Sequence, residues 1–400
     1  MSAPAPGDAA YDPLSRPVLD DPFPAYERLR RECPVHHHAA FDPPFFTLSH
    51  FADVLEGLRD FETWSIRYGD SPQYMRPAGL FNDPPAHTPF RRIFNRSLTP
   101  RAVTALEATI EQLANELVDT MIQDEGGDFH ALFASPLPMT IIARLIGVPE
   151  TDLALFREMC DDLTATYNVP DPSVSAAPRA RLDDYFQRHI ERRRQLLAKG
   201  EAALPDDLLS RLVVAESDGW RPTDADLRLL LVLLLLGGLE TSTALLTNVV
   251  WRLLQDRSRW QALQQDSALI EVAVEESLRH DPPVLGLFRT PTRDLTLHGT
   301  TIPAKSKVML AFASANREAS HGVAAPDEFR LDRDIEDARR HVSFGYGVHF
   351  CPGAPLARLE GQISLRVLLQ RLPGLQLDGP TERIEAFLLW GRGRLPLRWR

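Results

Sequence analysis

Cysteine is scarce in this 400-residue chain, which carries only Cys33, Cys160 and Cys351. Their wide separation excludes a disulfide framework and any CxxC metal site, and fits a reducing compartment. Long apolar runs are also lacking. The most apolar stretch, 229–236, is eight residues long, whereas a membrane span needs about 20. The opening residues 1–8 are small, proline-rich and acidic, with neither the basic nor the apolar region of a signal peptide. Positive charge is in deficit. A net charge of −11 gives no general attraction to nucleic acid or to an anionic membrane. Repeats, low-complexity segments, flavin motifs and iron–sulfur motifs are absent. The expectation is a soluble, cytoplasmic protein with no nucleic-acid partner and no membrane.

What is present is a large apolar fraction, 44% of residues, enough for a sizeable core. The pattern predicts a loose arm over 1–20 and a single domain over 21–400. A helix is expected over 22–32, followed by short strands at 35–39 and 45–48. Apolar residues then recur at three- and four-residue spacing over 102–124, 138–145, 151–167 and 180–198, which predicts helices. A proline-rich loop separates the last two. The longest helix should start after Thr223, where Thr223 and Asp226 have capping-box spacing, and run to about Leu254, roughly 48 Å. Being apolar nearly all round, it should cross the core. Further expectations are a helix over 269–280, strands over 295–303 and 307–312, and a closing hairpin of 387–390 with 395–399. The fold class is mainly α with a minor β subdomain.

Two places break the local rules. Phe344-Gly-Tyr-Gly-Val-His-Phe-Cys351-Pro-Gly353 is a glycine-rich loop that ends where helical pattern resumes at Ala354. A helix N-terminus carries partial positive charge, which favours a thiolate at Cys351. A lone cysteine is ordinarily a small buried hydrophobe. A thiolate nucleophile with His349 as base is a further reading. The second place is Gly237-Gly-Leu-Glu240-Thr241, two glycines, an acid and an alcohol midway along an oily helix. Such inconsistency marks functional sites, although a kink with a salt-bridged Glu240 would also account for it.

The cysteine loop fills every fixed place of F-x-x-G-x-H-x-C-x-G through Phe344, Gly347, His349, Cys351 and Gly353, and Ala357-Arg358-x-Glu360 follows. This resembles the haem-ligand signature of bacterial soluble cytochrome P450s, haem-thiolate monooxygenases. The resemblance runs from about Asp20 to the C-terminus and implies their fold, with the long helix crossing the core over the haem. It implies haem b (iron protoporphyrin IX) as cofactor and O2 as co-substrate. Cys351 would be the proximal thiolate, Phe344 would pack beside it, and His349 would contact a propionate. Pro352 stands where leucine is frequent. Proline lacks an N–H, so one donor to the sulfur is missing and a lower haem potential is expected. The helix motif resembles the family's G-x-(D/E)-T. There glycines such as Gly238 open space for dioxygen, and the alcohol and acid, here Thr241 and Glu240, relay protons.

Other matches carry further implied roles. Glu276 and Arg279 match the family's E-x-x-R pair, which locks against a meander near Arg333. His87, Arg91 and Arg289 resemble propionate contacts, since arginine suits carboxylates. The substrate pocket is expected to include Leu234, Val284, Leu285, Leu287 and Leu388, an apolar lining for a small or medium apolar molecule. Electrons must come from outside, from NAD(P)H through a ferredoxin reductase and a ferredoxin. Arg92, Arg96 and Arg358 are candidate docking cations. The protein is expected to be a monomer. The run His36-His37-His38 is discounted as a metal site, because a strand alternates its side chains between two faces.

Overall fold

The computed structural model describes residues 11–76, 78–164 and 172–399. It is mostly helical, with its strands in four separate small sheets. The organising element is the Asp224–Leu254 helix of 31 residues. Its start is set locally: Thr223 Oγ1 accepts from the Asp226 N–H at 3.2 Å, and Asp226 Oδ2 accepts from the Thr223 N–H at 2.9 Å. By length and composition it could cross a membrane, but here it lies against the Pro136–Ile146, Ala176–Leu197, Leu269–His280 and Ala354–Arg371 helices.

The long helix joins two apolar cores. Its N-terminal half, from Leu227 to Leu239, packs with Ile142, Phe156 and Phe186. Its C-terminal half, from Leu245 to Leu254, packs with Ile110, Trp260 and Leu365. Each fully buried leucine contributes about 2 kcal/mol, so both halves are firmly anchored. The segment 240–244 belongs to neither core, and it contains the polar residues Glu240 and Thr241. The helix thus holds a polar interruption rigidly between two apolar blocks.

The main sheet has five strands in the order Val35–His38, Phe45–Leu48, Lys307–Leu310, Leu287–Pro291 and Trp64–Ser65. All pairings are antiparallel except Phe45–Leu48 with Lys307–Leu310, which is parallel. In the first strand His36 and His38 are buried on one face and His37 is exposed on the other, which is the alternation expected of a strand.

Several expectations need correction. The segment 295–303 is not one strand but a hairpin, Leu295–Leu297 with Thr300–Ile302. His298 and Gly299 take positive φ values of 49° and 78° between them, the turn geometry that a two-residue hairpin requires. The 102–124 helix is broken into Pro100–Thr104 and Glu107–Met121. The C-terminal strands do not pair with each other. Arg392–Arg394 pairs with Glu382–Arg383, and Pro396–Arg398 pairs with Gly126–Asp128 and Gln376–Leu377. The arm is not loose over 11–20: Tyr11 is buried in a cluster with Tyr26 and Phe45, and Arg16–Asp20 is helical. The proline-rich loop and the end of the 151–167 helix fall partly outside the described residues.

Candidate active site

Cys351 sits in a loop closed by its own backbone. Its N–H donates to Phe344 O at 2.8 Å, and the Phe350 N–H donates to Gly347 O at 3.1 Å. Gly345 and Gly347 take φ values of +70° and +69°, a region that side-chain-bearing residues rarely adopt. A Cβ on Gly347 would also lie 3.1 Å from Leu58 O. The Ala354–Arg371 helix begins directly afterwards, with Gly353 as its N-cap. The Gly353 and Ala354 N–H groups favour a charged sulfur. Burial nevertheless outweighs these donors and the nearby Arg91 and Arg358 charges, and the thiol stands above its ordinary value. The helix start alone therefore does not make a thiolate here; a bound metal cation would.

Around this loop lie His87, Arg91, Arg289 and His349, which have no carboxylate within hydrogen-bond range among the described residues. His87 opens the His87–Ser97 helix and is buried, and its ring centroid lies 4.5 Å from that of His349. His349 Nε2 is buried without a hydrogen bond, with Asp83 Oδ1 at 3.8 Å. Burial pushes both imidazoles down, His87 to about 4. Arg91, one helical turn from His87, is half-buried and makes no ion pair among the described residues, and burial pulls its guanidinium down. Arg289 lies on the Leu287–Pro291 strand at 3% exposure. Its one hydrogen bond among the described residues goes to Phe288 O at 2.8 Å, and burial pulls it down to about 10. Buried donors left open in this way are costly unless a ligand meets them. A group presenting two carboxylates and a metal for Cys351 suits this set.

On the long helix Thr241 Oγ1 donates to Gly237 O at 2.7 Å. This bond spans one turn and fixes the hydroxyl. Glu240 makes no ion pair among the described residues. Burial holds its carboxyl above the usual range, and Asp161 adds to the shift. The salt-bridged alternative for Glu240 is therefore not what the structure has. The glycine assignment also changes. A Cβ on Gly238 would lie 2.6 Å from Ile142 Cδ1, whereas one on Gly237 meets nothing within 4 Å. Gly238 serves helix packing, and Gly237 borders open space.

The long helix and the helix that follows the cysteine loop meet directly. Gly361 lies close to Leu245 and Val274: a Cβ there would be 3.6 Å from one and 3.3 Å from the other. Ser242 lies beside the fully buried Glu360, whose two carboxylate oxygens have no hydrogen-bond partner among the described residues. Sequence reading placed Glu360 only in a motif tail and missed its environment. Burial pushes its carboxyl up to about 7.

The pocket residues divide. Leu234, Val284, Leu287 and Leu388 are half-buried. Leu285 is not a pocket residue: it is 2% exposed within the Tyr26, Phe288 and Trp390 cluster. Leu285 lies in a bend just before the Leu287–Pro291 strand and is turned into this cluster, while Val284 beside it stays half-buried. Phe344 is partly buried, with the Arg358 guanidinium 4.6 Å from its ring centroid. Glu276, Arg279 and Arg333 form a buried ion triad. Arg358 is not a free surface cation, since it binds the buried Glu275. Arg92 pairs with Asp218, and Arg96 donates to Glu216 O at 3.2 Å.

Comparison with known proteins bears on the whole arrangement. The family profile described as Cytochrome P450 matches residues 169–379. Cytochrome P450 123 of Mycobacterium tuberculosis is 35% identical, covering 98% of this chain and 97% of that protein. The vitamin D(3) 25-hydroxylase of Pseudonocardia autotrophica is 34% identical over the same shares, 98% and 97%. Among solved structures, the bacillaene polyketide synthase cytochrome P450 PksS of Bacillus subtilis 168 superposes with a TM-score of 0.88 at 30% identity, covering 97% of this chain and 99% of that one. With a cysteine loop, a crossing helix and a full-length likeness in agreement, the chain belongs to the cytochrome P450 family of haem-dependent monooxygenases.

Proposed function

We propose that Cys351 is the iron ligand of this monooxygenase and that Thr241 and Glu240 deliver its protons. The observation that carries this reading is the ring of open donors, His87, Arg91, Arg289 and His349, around a cysteine at a helix start. His87 and Arg91 share one face of a helix, Arg289 comes from a strand and His349 from the cysteine loop. They are placed to hold the two propionates of haem b, with Phe344 and Gly353 beside the sulfur. When bound, haem supplies dioxygen activation, and its thiolate ligand favours O–O cleavage.

The chain's own residues supply the rest. The Thr241 hydroxyl, held by Gly237 O, presents an oxygen that can accept a proton and pass one on. Glu240 is an acid whose carboxyl burial holds above the usual range, and it can reload that hydroxyl. The apolar blocks on either side keep bulk water from this polar step. Leu234, Val284, Leu287 and Leu388 offer an apolar wall to a small or medium apolar organic substrate, which would be hydroxylated or similarly oxidised. A relative named for vitamin D(3) hydroxylation supports starting with compounds of that kind.

We further read the protein as a soluble cytoplasmic monomer, one domain that takes in 11–20 along with the chain from 21 onward, fed from NAD(P)H by a ferredoxin reductase and a ferredoxin. Near the cysteine loop Tyr346 and Phe350 are exposed, and Arg59 stacks on Tyr346. This aromatic and basic face suits a small acidic electron carrier better than the paired Arg92 and Arg358 do.

The test is spectral. Reduced protein with carbon monoxide should give the long-wavelength band of a thiolate haem, and Cys351→Ala should abolish it. Steroids and fatty acids can then be screened by the spin-state shift. An unchanged spectrum in Cys351→Ala would refute the assignment.

A further inference from the structure

A second ligand-binding feature lies away from the cysteine. Between the Phe23–Glu32 helix, the C-terminal end of the long helix and the 382–394 hairpin opens a cleft of about 930 Å³. None of the candidate haem-site residues lines it. Trp251 marks its distance: it is ten residues beyond Thr241, roughly 15 Å along the helix axis. The cleft walls are aromatic and its depth is basic. Arg317 lies 3.3 Å from the Phe23 ring centroid, Arg383 3.9 Å from that of Trp390, and Arg392 3.6 Å from that of Trp251.

The buried charges do not balance. One buried carboxylate, Asp281, serves this region, and it is already engaged. Arg252 holds it through two hydrogen bonds of 2.7 and 2.6 Å, and Arg317 approaches it to 3.5 Å. Arg383 and Arg392 are left over. Arg392 is 3% exposed, and its guanidinium makes no hydrogen bond among the described residues. Arg383 donates from Nη2 to the Ile384 and Leu389 carbonyls, but its Nε and Nη1 are buried without partners. Trp390 Nε1 is a further orphaned donor. Burial pulls both guanidiniums down to about 10. The acids at the mouth, Asp20, Asp21, Glu27, Asp327 and Glu328, are all exposed, so water and salt screen them from the floor. Nothing among the described residues uses these donors, and native proteins leave few such groups unpaired.

We propose that this cleft binds a small organic anion, a carboxylate on a flat apolar body, with Arg383 and Arg392 taking the carboxylate. Guanidinium forks match carboxylate geometry, and their stacking on tryptophan presents flat surfaces for the body. The floor is tied to the catalytic helix. The Arg392 N–H donates to Thr247 Oγ1 at 3.2 Å, and Asn248 Nδ2 donates to Trp390 O at 2.8 Å. The haem proposal does not depend on this site, nor this site on the haem.

The test titrates the haem-loaded full chain with 2-naphthoate by calorimetry, with 2-naphthylmethanol as the neutral control. One-to-one binding of the acid, weakened by salt and reduced about tenfold in Arg392→Gln, is expected, with the carbon monoxide spectrum unchanged. Should Arg392→Gln fail to load haem, Arg383→Gln makes the same test. Equal affinity for the alcohol, no heat at millimolar acid, or affinity unchanged in the variant overturns the proposal. A haem spectral shift accompanied by unchanged affinity would place the naphthoate in the haem pocket, and overturns it equally.

Discussion

Glu276 and Arg333 meet across 57 residues of sequence, with Arg333 Nε 2.8 Å from Glu276 Oε1. The other oxygen of Glu276 takes Arg279 Nε at 2.7 Å, and both members of that pair are fully buried. Arg279 also reaches the carbonyls of Asn316, Pro326 and Glu328. This one carboxylate therefore joins the Leu269–His280 helix to the meander that leads into the cysteine loop. Removing one member of a buried ion pair costs about 3–5 kcal/mol, a large part of a domain's total of about 5–15 kcal/mol. Glu276→Gln should strand two buried guanidiniums and give little soluble, haem-loaded protein. Melting temperature and haem content after expression check this; a variant that loads and melts like the native chain would contradict it.

Thr241→Ala removes the hydroxyl that Gly237 O holds. The apolar packing on both sides of residue 241 is untouched, so folding and haem loading should be unchanged. Product formation should fall about tenfold or more, while NADH continues to be consumed and peroxide accumulates. The ratio of product to NADH consumed is the measurement. Full coupling in this variant would remove Thr241 from the mechanism.

The difference between what was legible in sequence and what was not follows the range of the interactions. The long helix was legible because Thr223 and Asp226 cap it within four residues. Cys351 was legible because its loop, its glycines and its helix are contiguous. The C-terminal hairpin was misread because Pro396–Arg398 finds its partner at Gly126–Asp128, a pairing no local pattern encodes. Leu285 was misplaced for a related reason: it lies in a bend before the Leu287–Pro291 strand, and its turn into the cluster of Tyr26, Phe288 and Trp390 depends on partners far off in sequence. The exchange of roles between Gly237 and Gly238 depended on Ile142, nearly a hundred residues away. The Arg383 and Arg392 cleft left no local sign, since its charge imbalance exists only once Asp281 is spoken for.

Glu360 makes stability depend on pH. In the folded chain burial raises its carboxyl from the ordinary 4.5 to about 7. A raised acid holds its proton more tightly when folded. Stability is therefore unaffected below about 4.5, where both states are protonated, and declines as pH rises toward 7, where the folded carboxyl must ionise. A shift of this size corresponds to about 3 kcal/mol lost above that window. Glu360→Gln cannot ionise and should escape the loss. Its melting temperature should match the native chain near pH 5 and exceed it at pH 8. The same difference at both pH values would show that Glu360 is not the titrating group.

Pro352 follows the cysteine directly and has no N–H to offer the sulfur. The Gly353 and Ala354 N–H groups favour a charged sulfur, so the position between them and the cysteine is silent where a donor would otherwise stand. Each donor withdraws electron density from a thiolate, and with one fewer the sulfur is richer and the ferric state better stabilised. Pro352→Leu restores an N–H at the start of the helix. The haem reduction potential should rise, and reduction by an external donor should become easier. A redox titration of the two proteins at the same pH checks the direction. An unchanged or lowered potential would mean that Pro352 serves only to stiffen the loop, through its fixed φ, and leaves the electronics of the sulfur to Gly353 and Ala354.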